Sequence, residues 1–125
     1  MKIIGHRGAR GLAPENTLAS LEKAIEHHVD IIEFDVRVTK DNQAILHHDS
    51  DLIDASGNHL NIADHALLEL QKHKPDLALL EDAIKFINHR TGLMIEIKPR
   101  VDIKPIVSII EKSDLSLDEI NNLLL

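Results

Sequence analysis

The sequence predicts an α/β fold with a parallel sheet, and two patterns predict it. Short apolar runs rich in Ile, Val and Leu mostly alternate with stretches whose apolar residues recur at helical spacing, the signature of β–α units. Two of the runs, residues 31–38 and 93–98, also alternate between apolar and polar side chains. Each therefore has one face for a core and one for chemistry.

The first strand covers residues 2–5. A helix over residues 16–27 follows, approached through Pro14, capped by Asn16 or Thr17, with Leu18, Leu21 and Ile25 on one stripe. The second strand spans residues 31–38 and the third residues 44–48. Residues 49–61, polar and holding Gly57-Asn58, read as a loop. A helix over residues 62–73 stops before Pro75, and another over residues 79–88 places Leu80, Ile84 and Ile87 at helical spacing. Thr91-Gly92 turns the chain into a fourth strand at residues 93–98, and Pro105 suits the first turn of a helix reaching residue 112. Ser116-Leu117-Asp118-Glu119 has the form of a capping box, and Ile120, Leu123 and Leu124 then open an apolar stripe, so a further helix is expected there. No repeat, low-complexity stretch or linker interrupts residues 1–125, which read as one domain.

Composition narrows the function. With 125 residues the chain can bury a core, but a complete (β/α)₈ barrel takes roughly 250 residues. If the units belong to a barrel, they are about half of one. Phe34 and Phe86 are the only aromatic residues, so the core is aliphatic. A net charge of −7 and the lack of aromatic stacking platforms argue against nucleic acid as partner. Without cysteine, neither a disulfide framework nor a thiolate zinc site forms. Met1-Lys2-Ile3-Ile4-Gly5 enters a strand directly with no signal-peptide pattern, and no apolar run is long enough to span a membrane. A cytoplasmic protein without a transmembrane segment is the expectation.

On the second strand Glu33, Asp35 and Arg37 share a face, opposite Ile32, Phe34, Val36 and Val38. Carboxylates about 7 Å apart along a strand can converge on a hard divalent cation, or form the ordinary polar face of a half-buried strand. The fourth strand repeats the device with Met94, Glu96 and Lys98, where Glu96 and Lys98 are either a structural ion pair or a metal ligand and a phosphate contact. The first and third strands end in His6-Arg7 and His48-Asp49. His27, His28, His59, His65, His73 and His89 read as solvated positions, whereas His6 and His48 stand at strand ends, which form the active face of α/β barrels. Together the strand ends supply acid–base groups, metal oxygens and cations, the three classes that reaction at a phosphodiester requires.

His6-Arg7-Gly8, Pro14-Glu15-Asn16-Thr17, Glu33-Phe34-Asp35-Val36, His48-Asp49 and Ile95-Glu96-Ile97-Lys98 resemble the motifs of the glycerophosphodiester phosphodiesterase family, in that family's order. The turn Thr39-Lys40-Asp41-Asn42 and the stretch from Leu67 to Leu70 resemble it too, and the likeness covers roughly residues 3–100. The resemblance implies a TIM-type βα barrel, here about its first four strand–helix units, that hydrolyses glycerophosphodiesters to glycerol 3-phosphate and an alcohol. It implies that Glu33, Asp35 and Glu96 hold Ca²⁺ or Mg²⁺, and that His6 and His48 are the catalytic acid–base pair. Arg7 and Lys98 then contact phosphate, Glu15 lines the site, and Asn16 orders the loop and caps the helix. In the implied mechanism the substrate's own glycerol hydroxyl attacks phosphorus, and water opens the resulting cyclic phosphate.

The chain departs from the family pattern after His48-Asp49, where Asp51-Leu52-Ile53-Asp54-Ala55-Ser56 stands in place of an Arg-containing motif, and at Ala78-Leu79, which replaces a Pro-Thr. Strands five to eight of a barrel are not represented. The expectation is a piece of a longer enzyme, or a chain that pairs with a second copy. Two other readings stay open: a catalytically inactive metal- or phosphate-binding fragment, and a sphingomyelinase D-like phospholipase, which Glu96-Ile97-Lys98 fits less well.

Overall fold

The computed structural model describes residues 1–115 and 120–124. In chain order the strands are β1 (Ile4–His6), β2 (Ile31–Val38), β3 (Ala44–Leu46), β4 (Asp51–Ile53), β5 (His59–Asn61), β6 (Gly92–Ile97) and β7 (Ile120–Leu124). The helices are α1 (Leu18–Glu26), α2 (Leu67–His73), α3 (Leu80–Ile87) and α4 (Lys104–Lys112). Strands β1, β2, β6 and β7 lie side by side in that order, each pair parallel, so the fold is α/β as expected.

The period-two pattern decides which way each strand faces. Ile32, Phe34 and Val36 of β2 and Leu93, Ile95 and Ile97 of β6 form one core with Leu21 and Ala24 of α1, Leu80, Ala83, Ile84 and Ile87 of α3, and Ile106 of α4. Phe34 is fully buried there, and burial of such a side chain contributes about 1.5–3 kcal/mol. The helices thus cover one sheet face and leave Glu33, Asp35, Glu96 and Lys98 on the other. Thr17 caps α1, its Oγ1 accepting the Ser20 N–H at 3.2 Å. Among the described residues no helix is long and apolar enough to cross a membrane.

Four expectations change. The third strand ends at Leu46, before His48, and runs antiparallel to β2, with Val36 opposite Leu46 and Val38 opposite Ala44. The reason is the connection: the turn over residues 39–43 is too short for a parallel crossover, which takes a dozen or more residues. Asn42 takes the left-handed conformation (φ 61°), and Thr39 N–H donates to the Gln43 carbonyl at 2.9 Å. Residues 49–61 are not only loop, because β4 and β5 pair as an antiparallel hairpin. Asp54 organises its turn, accepting N–H groups from Ser56 and Asn58 at 2.9 Å each.

The helix expected over residues 62–73 is broken into a 3₁₀ turn, Ile62–Asp64, and α2. The helix expected from Ile120 is instead strand β7, the parallel neighbour of β6. The capping box, Ser116 to Glu119, lies outside the described residues. A second core of Ile45, Leu52, Leu60, Ile62, Leu70 and Leu77 fills the space between β3, the hairpin and α2.

Candidate active site

Strand register assembles the site. The β2–β6 pairing sets Asp35 beside Glu96, and the β1–β2 pairing sets His6 beside Glu33. One carboxylate oxygen from each of Glu33, Asp35 and Glu96 falls within 4.8 Å of the others. Glu33 and Asp35 are buried, at 6% and 0% exposure. Glu33 Oε1 and Asp35 Oδ1 have no hydrogen-bond partner, although a buried polar atom normally has one. Carboxylate oxygens converging in this way are the donors that hard cations such as Ca²⁺ and Mg²⁺ take.

The electrostatics of the three acids differ. Burial, with Asp35 and Glu96 nearby, pushes the Glu33 carboxyl up to about 7. Asp35 pays the same desolvation penalty, yet it lies below the ordinary aspartate value because Asn16, Lys98 and Arg7 stabilise its charge. Lys98 Nζ bridges two of the acids, 2.8 Å from Glu96 Oε1 and 3.1 Å from Asp35 Oδ1; the second contact is an ion pair without hydrogen-bond alignment. Despite burial, which opposes its charge, Lys98 is raised above the usual lysine value by Glu96 and Asp35.

The end of β1 and the loop after it bring in His6, Arg7 and Glu15. Arg7 adopts a left-handed backbone (φ 51°), and Gly8 N–H donates to the Glu33 carbonyl at 3.1 Å. Arg7 Nη1 donates to Glu15 Oε2 at 2.9 Å, and its Nε lies 3.3 Å from Asp35 Oδ2. His6 is half exposed, its Nε2 3.6 Å from Glu33 Oε2. His48 arrives from the other side, on the segment after β3, with Nδ1 2.6 Å from Asp49 Oδ1. Glu15, Asn16 and His48 line a common cavity of ≈ 230 Å³. So Glu33, Asp35, Glu96, Lys98, Arg7, Glu15 and His6 are joined by direct contacts or strand pairing, while His48 joins them across this cavity.

Sequence reasoning missed two residues. Asn16, read as a loop and cap residue, leaves the capping to Thr17 and hydrogen-bonds Asp35 instead. Its signal was an Asn beside the cap, a residue type that tolerates the left-handed backbone it adopts here (φ 56°). Arg37 was placed only on a polar face. Its Nε and Nη2 both donate to the His48 carbonyl, at 3.0 and 2.8 Å, fixing the segment that carries the histidine. His47, beside it, is held below the ordinary histidine value by burial.

The Bacillus subtilis protein YhdW is 39% identical over 110 residues, covering 78% of this chain and 45% of that protein. A glycerophosphodiester phosphodiesterase from Thermotoga maritima superposes with a TM-score of 0.79 at 30% identity, over 98% of this chain and 52% of that one. An Oleispira antarctica phosphodiesterase in complex with the product sn-glycerol-3-phosphate superposes with a TM-score of 0.83 at 28% identity, over 99% of this chain and 56% of that one. The chain therefore spans about half the length of the relatives it matches. The model of the Glycerophosphoryl diester phosphodiesterase family matches residues 6–122, and the chain belongs to that family.

Proposed function

We propose that the chain is the metal-bearing half of a TIM-type βα barrel that hydrolyses glycerophosphodiesters to glycerol 3-phosphate and an alcohol. The observation that supports this reading is the convergence of Glu33, Asp35 and Glu96, two of them buried with an oxygen that accepts no hydrogen bond. In this reading these three residues hold a divalent cation, Ca²⁺ or Mg²⁺, and a cation bound there supplies Lewis-acid stabilisation of charge on the phosphoryl oxygens. Arg7 and Lys98 orient the phosphate, and Glu15 fixes the Arg7 guanidinium and lines the site.

His6 and His48 move the protons. One takes the proton of the substrate's glycerol hydroxyl as that oxygen bonds to phosphorus, and the other gives a proton to the departing alcohol oxygen. In the second step the roles reverse: water attacks the cyclic phosphate, one imidazole takes its proton, and the other protonates the ring oxygen that leaves. Asp49, hydrogen-bonded to His48 Nδ1, orients that imidazole.

A second reading, a metal- and phosphate-binding unit that does not turn over alone, is favoured by the sheet edges at β1 and β7, beyond which no further strand lies among the described residues. The other half of a barrel, or a second copy of the chain, would cover them. One assay separates the readings: release of glycerol 3-phosphate from glycerophosphocholine by the purified chain with Ca²⁺, with Mg²⁺ and with EDTA, beside light scattering. Metal-dependent turnover lost in His6→Ala supports hydrolysis. A folded chain that binds metal without turnover supports the second reading, and turnover unaffected by His6→Ala refutes the acid–base assignment.

A further inference from the structure

A separate cavity of ≈ 570 Å³ opens between the carboxyl ends of β2 and β6 and the segments flanking the β4–β5 hairpin. Its lining includes three cations, Arg37, Lys40 and Arg100, against one carboxylate, Asp102. Cations thus outnumber acids in the lining of a chain of net charge −7, although Asp49, Asp35 and Asp51 lie near enough to act on Arg37. The carboxylate is already engaged, Asp102 Oδ1 accepting the Lys104 N–H at 3.0 Å. Among the described residues, no ion pair or side-chain hydrogen bond engages Lys40 or Arg100. Arg37 spends Nε and Nη2 on the His48 carbonyl, which leaves its other amino group, Nη1, without an acceptor. Ser50 and Asn61 add neutral hydrogen-bonding groups to the wall.

The cavity also lies in a particular direction. Arg37 is two residues beyond Asp35 on the same face of β2, a step of about 7 Å toward the strand end. Arg100 likewise follows Lys98 by two residues, past the end of β6, with a left-handed backbone (φ 63°). The cavity thus lies toward the strand ends from the acidic cluster, on the side to which a substituent of a bound phosphodiester could extend.

We propose that this cavity binds an anionic substituent, a phosphomonoester or a carboxylate, on the alcohol portion of the substrate, and so selects glycerophosphodiesters whose head group is acidic. The proposal rests on the hydrolytic reading for its substrate but not for its binding site. Unengaged guanidinium and ammonium groups make charge-assisted hydrogen bonds to such groups, and cations clustered in a cleft concentrate anions there.

The test has two arms, run on the 125-residue chain and on two double variants, Lys40→Glu/Arg100→Glu and the milder Lys40→Gln/Arg100→Gln. Calorimetric titration with 2-hydroxyethyl phosphate, and separately with glycolate, in EDTA reads the site without turnover. Wild type binds at least one of them, and the Glu variant loses about tenfold or more in affinity, with the Gln variant between. The second arm compares kcat/KM for glycerophosphocholine with that for the glycerophosphodiesters of 2-phosphoethanol and of glycolate. The anionic substrate is preferred by wild type, and only that preference falls in the variants. No binding by wild type, or equal isotherms in all three proteins, overturns the proposal. If glycerophosphocholine is cleaved and the variants change no substrate, the cavity assignment fails and hydrolysis stands. If nothing is cleaved but the isotherms separate, the hydrolytic reading fails and the anion site stands.

Discussion

Asn16 grips Asp35 with both ends of its amide. Its Nδ2 donates to Asp35 Oδ2 at 3.1 Å, and its Oδ1 accepts the Asp35 N–H at 3.2 Å. Asn16 is 4% exposed, and its own N–H donates to the Arg7 carbonyl at 2.9 Å, so one residue ties the loop after β1 to the middle of β2. The grip occupies Asp35 Oδ2, while Oδ1 is left to the Lys98 ammonium, 3.1 Å away.

Removing that grip should loosen the carboxylate. Asn16→Gly keeps the left-handed backbone and loses both side-chain bonds, so it is expected to fold and to bind Ca²⁺ or Mg²⁺ about 10–100-fold more weakly. Asn16→Ala adds backbone strain and should lower stability as well. Calorimetric metal titration beside urea unfolding reads the two effects separately; unchanged metal affinity in Asn16→Gly would show that Asp35 needs no such support.

Glu33 makes the metal-free chain sensitive to pH. Its folded pKa, about 7, lies above the ordinary 4.5, so the folded state prefers the protonated acid. The stabilisation is fully present below about pH 4.5 and is lost as pH rises through 7, a change on the order of 3 kcal/mol from this group. Urea unfolding in EDTA between pH 5 and 8 should therefore show a downward slope that Glu33→Gln flattens. An identical slope in the variant would locate the dependence elsewhere.

Lys98 sits between two of the acids that would hold a cation. Lys98→Met should pull metal affinity and turnover in opposite directions. Without the ammonium the acidic cluster attracts a divalent ion more strongly, while phosphate loses a cationic contact. The metal-free variant should unfold more readily, because Asp35 and Glu96 lose their shared counter-charge. Metal titration, unfolding in EDTA and the glycerol 3-phosphate assay together check all three signs.

Gly8 is the tight point of the loop that carries His6 and Arg7. Its φ is +83°, and a Cβ added there would stand 2.1 Å from Ser20 Oγ. That hydroxyl is already fixed, donating to the Arg7 carbonyl at 2.7 Å and accepting the Ala9 N–H at 2.8 Å. Gly8→Ala should cost about 3 kcal/mol of stability, from the left-handed backbone and the displaced serine together. Denaturant unfolding measures it, and a loss under ~0.5 kcal/mol would mean the loop relaxes freely.

The sequence by itself determined which face each residue of β2 and β6 occupies, because side-chain direction in a strand repeats every two residues whatever lies alongside. That is why Glu33, Asp35, Glu96 and Lys98 were legible as one polar face; the helical spacing of Leu80, Ile84 and Ile87 and the place of Pro105 likewise located α3 and α4 nearly to the residue. Strand partners were not legible. The antiparallel course of β3 was readable only from the length of its turn, and residues 120–124, apolar at helix-like spacing, became a strand because the edge of β6 accepts them. The tertiary structure alone decided that Asp35 lies beside Glu96, that Asn16 reaches a carboxylate 19 residues away, and that Arg37 holds the His48 carbonyl. Local periodicity sets a side chain's direction, but register and long-range hydrogen bonds depend on which backbone lies next to it, and only the packed chain determines that.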